Sequence, residues 1–155
     1  MNSIAIRRAV LADADIITAY NRALAEETEG RALVPAVIQR GVSRLLAEPA
    51  RGVYYVAEQG GRVIGQLLIT YEFSDWRDSV FWWIQSVYVH PAHRRQGVYR
   101  GLHEHVAAAA RAAGDVCGLR LYVDRHNTPA QTVYRQLGLH ASGYELYEVD
   151  WHPAP

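Results

Sequence analysis

The stretch from Phe81 to Ala113 constrains the fold more than any other part of the chain. Phe81 to Val89 (FWWIQSVYV) is dense in aromatic and β-branched residues, which suit a pleated, largely buried surface. His90-Pro91 ends that run, because proline has no N–H for a ladder and restricts the residue before it. From Val98, apolar residues recur at helical spacing (Val98, Leu102, Val106, then Ala109, Ala110 and Ala113), and Gly114 suits the position just past a helix end. A strand, a basic turn and a long helix in immediate succession predict an α/β fold whose helix-linked strands lie parallel.

The turn itself, Arg94-Arg95-Gln96-Gly97-Val98, stands where a helix begins. A helix N-terminus carries unpaired N–H groups and the positive end of the macrodipole. Two arginines and a glycine there let a phosphate approach the backbone and be neutralised. A solvated basic turn would have the same composition; the strand before it and the helix after it favour the anion site.

The segment SVYVHPAHRRQGVYRGL resembles the acetyl-coenzyme A motif of the GNAT superfamily of N-acetyltransferases, Gln/Arg-x-x-Gly-x-Gly/Ala after a strand ending in a hydrophobic-x-hydrophobic pair. Arg94 fills the first position, Gly97 the glycine, and Val87 and Val89 the pair; Tyr99 departs from the small last residue. A second segment, Asn127-Thr-Pro-Ala130 through Tyr134 to Leu137-Gly138-Leu139, is similar to the GNAT pattern Asn-x-x-Ala-x-x-x-Tyr-x-x-Leu-Gly-Phe. The resemblance implies a mixed, mostly antiparallel sheet with a splayed parallel strand pair, flanked by about four helices.

The rest of the chain is compatible. Ile4 to Arg8 reads as a strand, and Asp13 caps a helix carrying Ile16, Tyr20, Ala23 and Leu24 on one face. That helix ends in Glu26, Glu27 and Glu29, charges of the wrong sign for a helix C-terminus, which suggests that they serve something else. Pro35 opens a second helix, with Ile38, Val42, Leu45 and Leu46 inward. Val53–Glu58 and Val63–Tyr71 read as a hairpin across Gln59-Gly60-Gly61, and 71–78 (YEFSDWRD) as a connector to Phe81. Gly118–Val123 is the next strand, Asn127 to Leu137 the last helix, and Tyr144–Trp151 a closing strand.

At 155 residues the chain predicts one domain, 1–155, able to bury a core without metal or disulfide. Sixteen basic residues balance sixteen acidic ones, which argues against nucleic acid or an anionic membrane as partner. The one cysteine, Cys117, provides neither a disulfide nor a thiol metal site, and no His-Glu-x-x-His pattern occurs. Without a signal peptide or a bilayer-length apolar run, a cytoplasmic protein is expected.

The resemblance implies acetyl-CoA as co-substrate, no metal, and direct attack by an amine in a ternary complex. Val87, Tyr88 and Val89 would line the donor and offer main-chain hydrogen bonds. Arg94, Arg95, Gln96, Gly97, Val98, Tyr99 and Arg100 would hold the diphosphate. Asn127 would contact the coenzyme further along, and Tyr134 would protonate the leaving thiolate, a role suited to a phenol beside a thiol of pKa about 8.5. Phe81 to Val89 contains no carboxylate, so the base is sought among Glu72, Glu26 and Glu27 acting through water.

Glu26, Glu27, Glu72 and Asp75, beside Tyr71, Trp82 and Gln85, suggest a pocket for a small cationic amine. The first helix end and the YEFSDW segment also look somewhat like diamine and polyamine acetyltransferases. Strict alternation puts Trp82, Ile84, Ser86 and Tyr88 on one face of their strand and Phe81, Trp83, Gln85, Val87 and Val89 on the other. Competing readings are a protein, peptide, amino-acid or antibiotic acetyltransferase, and a non-catalytic coenzyme A-binding module. The family also suggests a homodimer.

Overall fold

Five strands form one sheet in sequence order in the computed structural model, which describes residues 3–152. They are β1 (Ala5–Arg8), β2 (Val53–Gln59), β3 (Arg62–Ser74), β4 (Ser79–Val89) and β5 (Val116–Leu121). The first four are antiparallel neighbours, and β4 and β5 are parallel. Gly60 and Gly61 both take positive φ, which two residues between β2 and β3 require in the turn that matches strand twist. The connector expected over 71–78 is shorter than its sequence suggested. Backbone pairing carries β3 to Ser74 and starts β4 at Ser79, because the Tyr71–Phe73 side chains alternate across a continuing ladder.

Helices α1 (Ala14–Glu29) and α2 (Pro35–Ala47) cover one face, and α3 (Val98–Ala113) the other. Under α3, Val98, Leu102 and Val106 meet Leu67, Ile69 and Ile84. Under α1 and α2, Ile17 and Val42 meet Tyr54, Val56 and Leu68. Alternating residues of β2 and β3 therefore feed two separate cores, the pattern a sheet buried on both sides demands.

One residue changes the faces of β4. Gln85 pairs with Leu68 and Tyr88 with Gln66, so Ser86 and Val87 together oppose Leu67. Ser86 is the kink of this bulge, with φ +49°. Trp82 and Ile84 lie on the α3 face, and beyond the bulge Val87 and Val89 join them, while Tyr88 stacks on Tyr20 of α1 at 4.8 Å. The strict alternation expected over Phe81–Val89 is thus corrected: a bulge inserts an extra residue and inverts every side chain that follows it.

Asp13 also departs from its expected role. It makes no capping bond to α1; its carboxylate takes Arg7 Nη1 at 2.8 Å and Nη2 at 3.0 Å, and accepts the Val10 N–H at 2.8 Å. Arg7 also donates to Glu58 at 2.9 Å, tying β1 and β2 to the start of α1. The guanidinium holds the Asp13 carboxyl below its ordinary value of 3.8 against the opposing effect of burial. Its contribution to stability is therefore full above that value and is lost as pH falls through the lower folded value. Arg7→Met is expected to cost about 2 kcal/mol near neutrality, less than for a wholly buried pair because Arg7 is partly solvated. In urea titrations the variant and parent should converge as the pH falls through the lowered folded value of Asp13, where its carboxylate takes up a proton and the pair is lost. A constant difference across pH would assign the effect to packing instead.

Backbone contacts divide the chain into two units between Leu121 and Tyr122. The second holds α4 (Thr128–Gln136), whose Asn127 cap accepts the Ala130 N–H at 3.2 Å, with Pro129 in the first turn. Gly138, at φ +87°, stops it. The closing strand expected at Tyr144–Trp151 is not formed: that segment pairs with no strand, and Tyr144, Leu146, Tyr147, Val149 and Trp151 are exposed. Alternation of side chains marks a segment fit to pair, but only a neighbouring strand makes it a ladder. Among the described residues, no helix is long and apolar enough to cross a membrane.

Candidate functional site

The strand, turn and helix foreseen from sequence occur as β4, a 3-10 turn at Pro91–His93, and α3. Parallel pairing of β4 with β5 runs from Val80 opposite Val116 to Ile84 opposite Leu121. β4 continues to Val89, so among the described residues Gln85 to Val89 have no β5 partner; the Ser86 and Val89 carbonyls accept from the side chains of Gln66 and Arg94 instead. The open end leads directly to the mouth of α3. Arg95 (φ +61°) and Gly97 (φ +79°) take left-handed conformations there, and Gly97 occupies the N-cap position of α3.

A Cβ at Gly97 would meet nothing within 4 Å, so the backbone at this point can be approached closely. Val98 is buried beneath it. Tyr99 turns back along the helix, packing on the core with its hydroxyl 3.5 Å from His103 Nδ1, and does not cover the mouth. Arg95, Gln96 and Arg100 are exposed around it. Helix N–H groups, two guanidinium groups and a clear approach are the chemistry that holds a diphosphate.

Arg94 meets Glu27. Its Nη2 donates to Glu27 Oε2 at 2.7 Å, its Nε to the Val89 carbonyl at 2.9 Å, and the guanidinium lies over the Tyr88 ring at 5.4 Å. The Tyr88 hydroxyl donates to Glu27 Oε1 at 3.2 Å. Burial, then the charge of Glu27, raises the Tyr88 pKa and keeps the phenol protonated. The acidic end of α1 is thus drawn to the basic turn, which offsets the unfavourable charge at its own C-terminus. Glu26 on the same turn is exposed.

Beside this cluster a cleft of about 270 Å³ opens between α1, the start of α2 and the sheet. Its walls are mostly aliphatic: Leu24 and Ala25 of α1, Leu33, and Ile38 of α2, with Thr28 of α1 the one uncharged polar side chain among them. Its floor is polar and neutral. Asn21 Nδ2 donates to the Tyr54 hydroxyl at 3.0 Å, and Gln66 Nε2 donates to Asn21 Oδ1 and to the Ser86 carbonyl, each at 3.1 Å. The Gln66 Oε1, fully buried, has no partner. Ser86 lines the floor next to Tyr54, whose pKa burial raises and hydrogen bonds from Asn21 and Ser86 oppose. At the rim stands Glu29, whose carboxylate lies 3.6 Å from Arg31.

Within the first unit, Glu72, Asp75, Tyr71, Trp82 and Gln85, also singled out from sequence, do not line this cleft. Glu72 is ion-paired to Arg120, whose guanidinium covers the Phe81 ring at 3.6 Å. Glu72 lies five positions along β3 from Leu67, the residue opposite Ser86, which is about 16 Å of strand. Asp75 lies in the turn beyond it. Tyr71 and Trp82 pair edge-to-face at 6.1 Å, with Trp82 packed on the α3 core, across the sheet from the cleft. Gln85 Nε2 donates to Thr70 Oγ1 at 2.5 Å. In the second unit, Asn127 caps α4 and Tyr134 lies on it, half-buried, its pKa raised by burial. No group of three or more potential metal ligands occurs among the described residues.

Sequence reading missed the polar floor. Two signals were present: Gln66 interrupts the apolar run VIGQLLI, and Asn21 stands in the stripe Ile17, Asn21, Leu24, Thr28. Ser86 gave none, since the bulge that turns it inward depends on register with β3.

Residues 16–139 match the acetyltransferase (GNAT) family. Among solved structures, the chain is similar to a protein described as a possible acetyltransferase from Clostridium difficile 630, with 38% identity, 95% of this chain and 97% of that chain covered, and a TM-score of 0.90. It shares its fold with a ribosomal-protein-alanine N-acetyltransferase from Brucella melitensis biovar Abortus 2308 (18% identity, 96% and 99% covered, TM-score 0.77). It also shares it with a "predicted acetyltransferase with acetyl-CoA" from Clostridium acetobutylicum (17% identity, 96% of each chain covered, TM-score 0.74). No curated protein sequence matches the chain.

Proposed function

Since the chain belongs to the acetyltransferase (GNAT) family, we propose that it moves an acetyl group from acetyl-CoA to a small primary amine by direct attack. The observation that carries this reading is the open end of β4, which runs without a β5 partner into a helix mouth bearing Arg94, Arg95 and Gly97. The donor's diphosphate sits at that mouth, on the N–H groups of 97–100 and the two guanidinium groups, and its acyl arm lies along Val87, Tyr88 and Val89. Asn127 meets the coenzyme further along.

The amine nitrogen attacks the thioester carbonyl, the C–S bond breaks, and the proton for the departing thiolate comes from Tyr134. The amine must first lose a proton, because a free alkylamine is mostly ammonium at neutral pH. Glu27, at the working end of β4, is the carboxylate we assign to that step through water. Glu72 is set aside by distance, since it lies beside Phe81, five positions along β3 from Leu67 opposite Ser86. The small cleft favours a free amine over a protein substrate, and Tyr134 favours an enzyme over a coenzyme-binding module.

The test is calorimetric titration with acetyl-CoA together with thioester consumption against an amine panel. Arg95→Gln, which leaves the Arg94–Glu27 pair intact, is expected to weaken acetyl-CoA binding about ten-fold, the loss of one charge-assisted contact, with kcat at saturating donor little changed. Unaltered affinity in this variant and in Arg94→Gln would remove the diphosphate from the helix mouth.

A further inference from the structure

Ser86 sits where glycine would be expected. At φ +49° a residue with a Cβ is strained, whereas glycine adopts that conformation freely. Strain of this kind persists where the side chain or the backbone shape has a task. The backbone shape alone does not explain serine, because glycine would make the same bulge more cheaply. The hydroxyl is therefore the informative part: it donates to Tyr54 at the floor of the cleft, and a hydroxyl that donates keeps lone pairs with which to accept from a ligand. Ser86 is also the residue before Val87 on the open end of β4, so a group bound to it lies next to the strand proposed to carry the acyl arm.

The surroundings limit what that group can belong to. Glu27 is engaged by Arg94 and Tyr88, and Glu72 by Arg120. Among the described residues, Glu29 is the one carboxylate that borders the cleft, at its rim and near Arg31. The walls are mostly aliphatic and the floor is neutral, and a second ammonium buried there would lose its hydration without an unshared counter-charge. A volume of about 270 Å³ is at the small end for ligand sites.

We propose that Ser86 is a substrate-contacting residue whose hydroxyl accepts a hydrogen bond from the acceptor amine, and that this amine has an uncharged aliphatic body and not a second cationic group. This deepens the acetyltransferase reading and rests on it. It departs from the cationic-amine pocket and the diamine likeness suggested by the sequence, because the acidic residues that suggested them are held by arginines or lie away from the cleft.

The experiment compares hexylamine with 1,5-diaminopentane, which match in length and differ at the far end, in the parent protein and in Ser86→Gly. Hexylamine should exceed the diamine at least about ten-fold in kcat/KM, given the cost of an unpaired buried charge. Ser86→Gly should lower kcat/KM for hexylamine about five-fold, one hydrogen bond, with acetyl-CoA affinity unchanged and the unfolding midpoint equal to or above the parent's. A merely structural role would move stability and spare turnover. Preference for the diamine would make Glu29 a counter-charge and overturn the proposal; undiminished turnover in Ser86→Gly would overturn the role of the hydroxyl. Tight acetyl-CoA binding with no amine consumed would instead overturn the transferase reading beneath both.

Discussion

Phenylalanine in place of Tyr134 is expected to lower kcat about 100-fold while leaving acetyl-CoA affinity unchanged. The estimate is the low end of what a positioned acid contributes to a transfer step. A coenzyme thiol leaves as an anion, and a phenol held in its protonated form can supply the proton as the C–S bond lengthens. Burial raises the Tyr134 pKa above its ordinary value of 10.0, so the donating form persists through the alkaline range. The parent's alkaline limb of kcat should accordingly lie above pH 10 if Tyr134 alone sets it. Steady-state kinetics with saturating donor read the effect directly. An unchanged kcat in Tyr134→Phe, with the protein folded, would leave the thiolate to depart unaided.

Leu102→Ala has the largest expected effect on the fold. Leu102 is fully buried, on the face of α3 that meets Leu67, Ile69 and Ile84. Removing its side chain from a close-packed site should cost about 3 to 4 kcal/mol, transfer and cavity terms together. For a chain of this size that corresponds to a fall of roughly 10 °C in the melting temperature. At low temperature, where the variant stays folded, acetyl-CoA affinity should be nearly that of the parent, because the mouth of α3 is set by Gly97 and the arginines. A loss below about 1 kcal/mol in urea titration would mean that α3 is not anchored as described.

The two predictions probe parts of the molecule that the sequence disclosed unequally. Leu102 was legible: Val98, Leu102 and Val106 mark a helix face by spacing alone, and Gly114 at the helix end has the left-handed conformation favoured there. The basic turn was legible too, since Arg94 to Gly97 combine charge, a flexible residue and a helix start within a few positions. The closing strand at Tyr144–Trp151 was misread because its alternation is local, while a ladder requires a partner that no local pattern supplies. Asp13 was misread as a cap because its partner Arg7 lies on a strand, and the competing ion pair arises only when β1 and α1 meet.

The acidic residues show the same division. Glu27 and Glu72 looked equivalent as candidates, yet one reaches Arg94 and the other Arg120, at opposite ends of β4. Composition counted the carboxylates correctly and said nothing of what each would find. The sum of charges is a property of the chain; the pairing of charges belongs to the fold.

The sequence by itself determined the helices, the order of the strands' precursors, the hairpin and the basic helix mouth, because spacing, turn chemistry and capping act over a few residues. Only the tertiary structure decided which face each β4 residue takes beyond Ser86, which carboxylates stay available, and where Asn21, Tyr54 and Ser86 converge. Those outcomes depend on register and on contacts between residues as far apart as Glu27 and Arg94, 67 positions along the chain. No short-range preference can encode them.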